Sequence, residues 1–202
     1  PRSTLFPYTT LFRSRFLAID KVNRVYDNSG NYSGAGFASR LLADLGIDYA
    51  IGNAERLKLL PNGAFITIAN HPYGGLDGII LVDLMAGIRD DYKLMVNKIL
   101  SLVKTMQCNF VTVTPVEDHK TPVTAGSISG IRETINRIKN GHPVGFFPSG
   151  AVSDLSLKNM RVSDREWQTN ILRLIHAMRV PILPVRFRSE EHTSELQSRQ
   201  SI

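Results

Sequence analysis

The chain has 202 residues, 43% hydrophobic and 21% charged, with a formal net charge of +6 and a single cysteine. That length supports one domain with a sizeable core, while one cysteine excludes an internal disulfide framework and fits a reducing compartment. No run reaches the roughly 18 uninterrupted apolar residues a membrane span needs, and no Lys/Arg run or basic–aromatic interleaving favours nucleic acid, so the basic balance suits an anionic lipid leaflet or an acidic carrier protein.

In chain order, Phe37, Leu41, Leu42 and Leu45 recur at helical spacing and Gly46 follows as a stop, which predicts a short amphipathic helix from Gly36 to Leu45. Asp48 to Ile51 is a weak strand candidate. Pro61-Asn62-Gly63 is a turn feeding a buried strand from Phe65 to Ala69, and Gly78 to Ile88, apolar on nearly every face, reads as a helix. Tyr92 to Val96 reads as a strand, Asn97 to Met106 as a core-facing helix edged by Lys98 and Lys104, and Phe110 to Val113 as a strand ended by Pro115. The stripe of Ile128, Ile131, Ile135 and Ile138 predicts a helix from Ser127 to Asn140. A strand from Val144 to Phe147 then delivers the turn Pro148-Ser149-Gly150. Ser163-Asp164-Arg165-Glu166 has the form of a capping box, followed by Trp167, Ile171, Leu174, Ile175 and Met178 as the buried face of a helix, and Ile182 to Phe187 is a further strand. Strands alternating with helices in this way predict a layered α/β fold with helices on both faces of a sheet. Cys108 is expected to be a small buried residue. His119, His142 and His176 are expected to be structural or solvent-facing, and without a His-x-His or His-Glu-x-x-His spacing no metal site is expected.

The chemistry concentrates at Asn70-His71-Pro72-Tyr73-Gly74-Gly75-Leu76-Asp77, where an imidazole and a carboxylate lie in a turn between a buried strand and an apolar helix. These are the parts of a general base: the imidazole takes a proton, and a carboxylate on its other ring nitrogen sets the tautomer and favours the imidazolium. Gly74, Gly75 and the start of the next helix offer backbone donors to an oxyanion, or are simply glycines required by the turn. A serine nucleophile is not expected, because Gly126-Ser127-Ile128-Ser129-Gly130 has Ile at the centre of the nearest approach to a Gly-x-Ser-x-Gly elbow.

The same run resembles the His-and-Asp signature of the glycerolipid and lysophospholipid acyltransferase superfamily. Its Asn-His-Pro and Gly-Gly-Leu-Asp-Gly elements look most like the bacterial hemolysin-like branch, related to the ornithine and glycine lipid N-acyltransferases. Gly145-Phe146-Phe147-Pro148-Ser149-Gly150 resembles that superfamily's Phe-Pro-Glu-Gly block, and Val180-Pro181-Ile182-Leu183-Pro184-Val185 resembles its closing apolar strand. The resemblance implies an α/β sandwich of the glycerolipid acyltransferase type. It makes His71 and Asp77 the catalytic pair and puts Asn70, Gly74, Gly75, Phe147, Pro148, Ser149 and Gly150 on the substrate. It implies acyl carrier protein or coenzyme A thioesters as donors, no further cofactor, and a peripheral place on the cytoplasmic face of the inner membrane.

The chain departs from that pattern in ways that bear on the acceptor. Pro72 to Leu76 separate His71 from Asp77, one residue more than the usual spacing, so the loop must bulge for the pair to meet. Ser149 and Val152 stand where the block has glutamate and arginine, and Val111-Thr112-Val113-Thr114-Pro115 lacks the basic residue expected after that strand. Arginine is the natural clamp for a phosphate monoester. Its loss predicts an amine or hydroxyl acceptor without phosphate, as in amino-acid lipid synthesis. The alternatives are a lysophospholipid acyltransferase, with Lys98 or Arg132 supplying the charge, and a catalytically silent lipid-binding domain. A cytolytic role has no support in a pore-forming stretch.

Both ends of the chain also resemble in-frame translations of sequencing-adapter arms, at residues 4–14 and 188–198. Residues 1–14 and 188–202 are therefore expected to be non-native, leaving 15–187 as an acyltransferase domain fragment truncated at both ends, its strand from Ile182 to Phe187 stopping mid-domain.

Overall fold

The computed structural model describes residues 31–114, 125–156, 161–163 and 165–188. The two segments expected to be non-native therefore lie almost wholly outside the described residues, as do His119, Pro115 and Asp164.

Five short strands form one parallel sheet: β1 (Ile66–Ala69), β2 (Lys93–Asn97), β3 (Phe110–Val113), β4 (Val144–Phe146) and β7 (Ile182–Val185), in the order β3-β2-β4-β1-β7. A separate antiparallel hairpin pairs β5 (Asp154–Ser156) with β6 (Arg161–Ser163). The helices are α1 (Gly34–Leu45), α2 (Gly75–Ile88), α3 (Ala125–Lys139) and α4 (Thr169–Met178). From β1 through β2 to β3 the chain steps toward one edge of the sheet, and from β3 through β4 to β7 it steps back. Because parallel crossovers are right-handed, opposite directions of travel place their connections on opposite faces. The two cores follow that division. Phe37, Leu81, Met85, Phe65 and Leu94 pack on the α1–α2 side, and Ile66, Val144, Phe146, Ile138 and Ile175 on the α3–α4 side. The α/β architecture with helices on both faces is the one the alternating pattern predicts.

The strands and the helices α1 to α3 lie close to their predicted positions, and Gly46 adopts the left-handed conformation (φ 67°) that closes α1. Five expectations need correction. Asp48 to Ile51 forms no strand; the segment is held by the Tyr49 hydroxyl, which donates to Asp83 Oδ2 of α2 at 2.6 Å. Asn97 to Met106 is not one α-helix but part of two 3-10 segments, Lys98–Leu102 and Lys104–Asn109, separated by Val103 in a non-helical conformation (φ −81°, ψ 82°). Despite that break, Leu100, Val103 and Met106 all line the same cavity. The capping box is not used: Ser163 ends β6, α4 opens six residues later at Thr169, and Trp167 is exposed. What holds the intervening chain extended is Gln168, whose N–H donates to Pro148 O at 2.9 Å. Cys108 is exposed, its thiol turned to Asn109 Oδ1. Ile128, the first residue of the α3 stripe, is exposed as well, whereas Ile138 is buried.

Two polar devices fix the sheet. Inside it, the Thr67 and Tyr92 hydroxyls share a buried hydrogen bond of 2.7 Å directly over Gly145. A Cβ at Gly145 would collide with Tyr92 Oη and crowd Thr67 and Leu94, so glycine in β4 is required by close approach rather than by backbone conformation. Gly145→Ala is expected to cost about 1–3 kcal/mol through overpacking, measured as a lower Tm with the fold retained. At the opposite end of the strands from their C termini, Arg89 binds Asp91 through both carboxylate oxygens (3.0 and 2.9 Å) and donates to the carbonyls of Pro61 and Gly63 (3.0 and 3.1 Å). His142 Nδ1 reaches Asp91 Oδ2 at 2.7 Å, which gives that histidine a structural role.

Candidate active site

In a parallel α/β sheet a crevice opens where two neighbouring strands send their following loops to opposite faces. β4 forms such a pair with each of its neighbours, β2 and β1; beside β1 it lies with Ile68 opposite Phe146. The chain leaving β1 enters Asn70 and His71, and the chain leaving β4 enters Phe147.

Asn70 behaves as a surrogate strand residue. Its Oδ1 accepts the Phe187 N–H at 2.7 Å and its Nδ2 donates to Phe187 O at 3.1 Å, prolonging the β1–β7 pairing through a side chain. His71 follows, with its carbonyl oxygen accepting the Ser153 N–H at 2.9 Å. Gly74 then takes φ 64° and ψ −129°, a conformation that favours glycine, and so turns the chain sharply into α2. The helix begins at Gly75 rather than at the predicted Gly78, so Asp77 lies in its first turn, fully buried. That winding absorbs the extra residue between the two groups: His71 Nδ1 and Asp77 Oδ2 meet at 3.0 Å.

The Tyr73 N–H also donates to Asp77 Oδ2, at 2.8 Å, while Oδ1 is buried without a hydrogen-bond partner. A carboxylate only accepts, so Nδ1 carries the imidazole proton and Nε2 is left with its lone pair. One face of the His71 ring is stacked on Phe147, centroids 4.0 Å apart and planes 19° from parallel.

His71, Gly74, Gly75, Phe147 and Gly150 line one cavity of about 520 Å³ at the C-terminal ends of the strands. Most of its lining is apolar and includes Phe37, Leu41, Leu94, Leu100, Val103 and Met106. The other predicted residues do not line it and hold the surrounding loops instead. Asn70 holds Phe187, Pro148 accepts from Gln168, and Ser149 Oγ donates to the Ala151 carbonyl at 2.8 Å. Sequence reasoning missed four polar groups on the cavity: Asn97, Thr114, Gln168 and Asn170. Asn97 and Thr114 sit where β2 and β3 end, the position from which a parallel sheet presents groups to a ligand, so the predicted topology carried a signal for them. Among the described residues lining the cavity, His71 is the one ionisable side chain; Lys98 and Arg132 are exposed and do not line it.

A doubly faced parallel sheet with an imidazole–carboxylate pair on a largely apolar cavity has the layout of an enzyme active site. The acyltransferase family model matches residues 8–199, and the chain belongs to this acyltransferase family. No curated protein sequence matches it.

Proposed function

We propose that the protein moves a fatty acyl group from acyl carrier protein or coenzyme A to an amine or hydroxyl acceptor without a phosphate, using His71 as general base and Asp77 to orient it. The single observation behind this reading is the 3.0 Å pair of His71 and Asp77 at the mouth of the apolar cavity. His71 Nε2 takes the proton of the acceptor N–H or O–H as that atom bonds to the thioester carbonyl carbon. The tetrahedral adduct then collapses, the C–S bond breaks, and the imidazolium returns its proton to the departing thiolate. The oxyanion in between would face the first turn of α2, where the N–H groups of Gly75 and Leu76 have no carbonyl one turn behind them to accept them.

The acceptor class is supported by the cavity lining. Carboxamides and a hydroxyl from Asn97, Gln168, Asn170 and Thr114 surround the described part of the site, with no arginine or lysine among the described lining residues to clamp a phosphate. Ornithine and glycine are the acceptors to try first. The formal charge of +6 supports a peripheral place on an anionic leaflet.

The test is a mass-spectrometric comparison of lipids from a bacterium expressing this chain against the same host expressing His71→Ala. An acylated amino-acid lipid present only with the unaltered chain is the expected result. A rise in phosphatidate or diacyl phospholipid would move the assignment to lysophospholipid acylation. Identical lipids, with lipid binding intact in both proteins, would favour a silent binding domain.

A further inference from the structure

Asp77 fixes His71 at one point, Nδ1, and a ring held by a single hydrogen bond can still swing about that contact. The stack on Phe147 removes this freedom, because two rings at 4.0 Å and 19° leave little room for the imidazole plane to tilt. We propose that Phe147 is a positioning residue for His71: it holds the plane of the base and stabilises the positive charge that the ring carries between the two proton transfers. The inference rests on the reading of His71 as the base.

The surroundings are built to hold the stack. β1 and β4 are neighbours in the sheet, so the two rings emerge side by side from paired strands. The turn after Phe147 is closed by the Gly150 N–H on Phe147 O at 2.9 Å, and the Gln168 N–H pins Pro148 O at 2.9 Å. Gly150 sits at φ 67°, a left-handed conformation in which a side chain is strained, so glycine suits that turn. The Ser153 N–H on His71 O ties the two loops directly to each other. Phe147 also packs against the core on the α1–α2 side, which fixes it from behind.

The electrostatics point the same way. Once Nε2 is protonated, the imidazolium lies over the electron-rich face of the phenyl ring, an attraction that strengthens where water is excluded. The same cation sits against a carboxylate whose second oxygen is buried without a partner, so its edge and its face both meet negative potential. Leucine fills much of the same space but has no π face. Tyrosine and tryptophan keep one.

The experiment combines kinetics and spectroscopy on Phe147→Leu, Phe147→Tyr, Phe147→Trp and His71→Ala. Thiol release from palmitoyl-coenzyme A is followed with ornithine or glycine as acceptor, and the ring nitrogens of His71 are observed by NMR in ¹⁵N-histidine-labelled protein. The expected result is a kcat about tenfold lower for Phe147→Leu with KM for the donor unchanged, and recovery in one of the aromatic variants. The ¹⁵N relaxation of the His71 Nδ1–H should report a rigid ring in the unaltered protein and a mobile one in Phe147→Leu, with the tautomer, set by Asp77, the same in both. A raised KM with kcat intact would overturn the proposal and make Phe147 a substrate wall only. An equally rigid ring in Phe147→Leu would overturn it whatever the turnover. Transfer that survives His71→Ala would instead sink the reading of His71 as the base, and the relaxation measurement would still report on Phe147 separately.

Discussion

His71→Ala is expected to lower the rate of acyl transfer by about 10²- to 10⁴-fold, the usual share of a general base, while leaving Tm within a degree or two of the unaltered protein. The stability expectation follows from the position of the ring. It lies at the cavity mouth, and its one hydrogen bond is to a carboxylate that keeps the Tyr73 N–H after the imidazole is gone. Asp77→Asn should give a loss of similar order by a different route. An asparagine can offer its carbonyl to Tyr73, but its amide no longer attracts the imidazolium and can present a donor to Nδ1, which selects the wrong tautomer. Steady-state kinetics on the two variants, with thermal unfolding as the control for folding, checks both. Equal activity in Asp77→Asn and the unaltered protein would show that the pair is structural.

Arg89→Met should produce the largest loss of stability. The guanidinium satisfies Asp91 through two hydrogen bonds and caps the carbonyls of Pro61 and Gly63, joining the turn before β1 to the turn before β2. Its removal leaves one carboxylate and three carbonyls, those of Pro61, Gly63 and Gly141, short of a donor, worth about 2–4 kcal/mol after allowance for the partial exposure of the pair. For a chain of this size that corresponds to roughly 5–15 °C in Tm. Arg89→Lys should recover only part of it, because an ammonium cannot reach both the carboxylate and the carbonyls.

The pH dependence follows from Asp91. Burial alone would raise its pKa, but the hydrogen bonds from Arg89 and His142 outweigh that and hold the carboxyl below its ordinary value of 3.8. A depressed carboxylate contributes stability above its unfolded value and loses it as pH falls through the folded one. The difference in stability between the unaltered protein and Arg89→Met should therefore be constant near neutrality and shrink below about pH 4. A gap that persists unchanged to pH 2 in urea titrations would mean that the carbonyl contacts, not the ion pair, carry the effect.

The strands, α1 to α3 and the His71–Asp77 pair were legible because each rests on local pattern: a short apolar run, a helical stripe, or two reactive groups one turn apart. The stack of Phe147 on His71 was not legible, although both residues were singled out. It depends on β4 inserting between β2 and β1, a matter of sheet order that no local pattern encodes. Gln168 was missed for a related reason. Ser163 to Glu166 carries a locally sound helix start, and tertiary hydrogen bonding to Pro148 overrides it, delaying the helix and leaving Gln168 against the site. The two 3-10 segments were read as one α-helix because Ile99, Leu100, Leu102 and Val103 fit either period over so short a span.

The sheet order also sets a timetable. β1 is the earliest strand among the described residues, yet its two neighbours, β4 and β7, are the latest of the sheet to be synthesised. On the ribosome, β1 has neither partner in hand until β4 and β7 are made, and Asn70 has no Phe187 to grip until that residue emerges. Contacts so distant in sequence form slowly and expose apolar strand edges while they wait, which makes the half-made chain a natural client for chaperones. The imidazole is consequently set in place only after the strands that flank β1 have been made and paired.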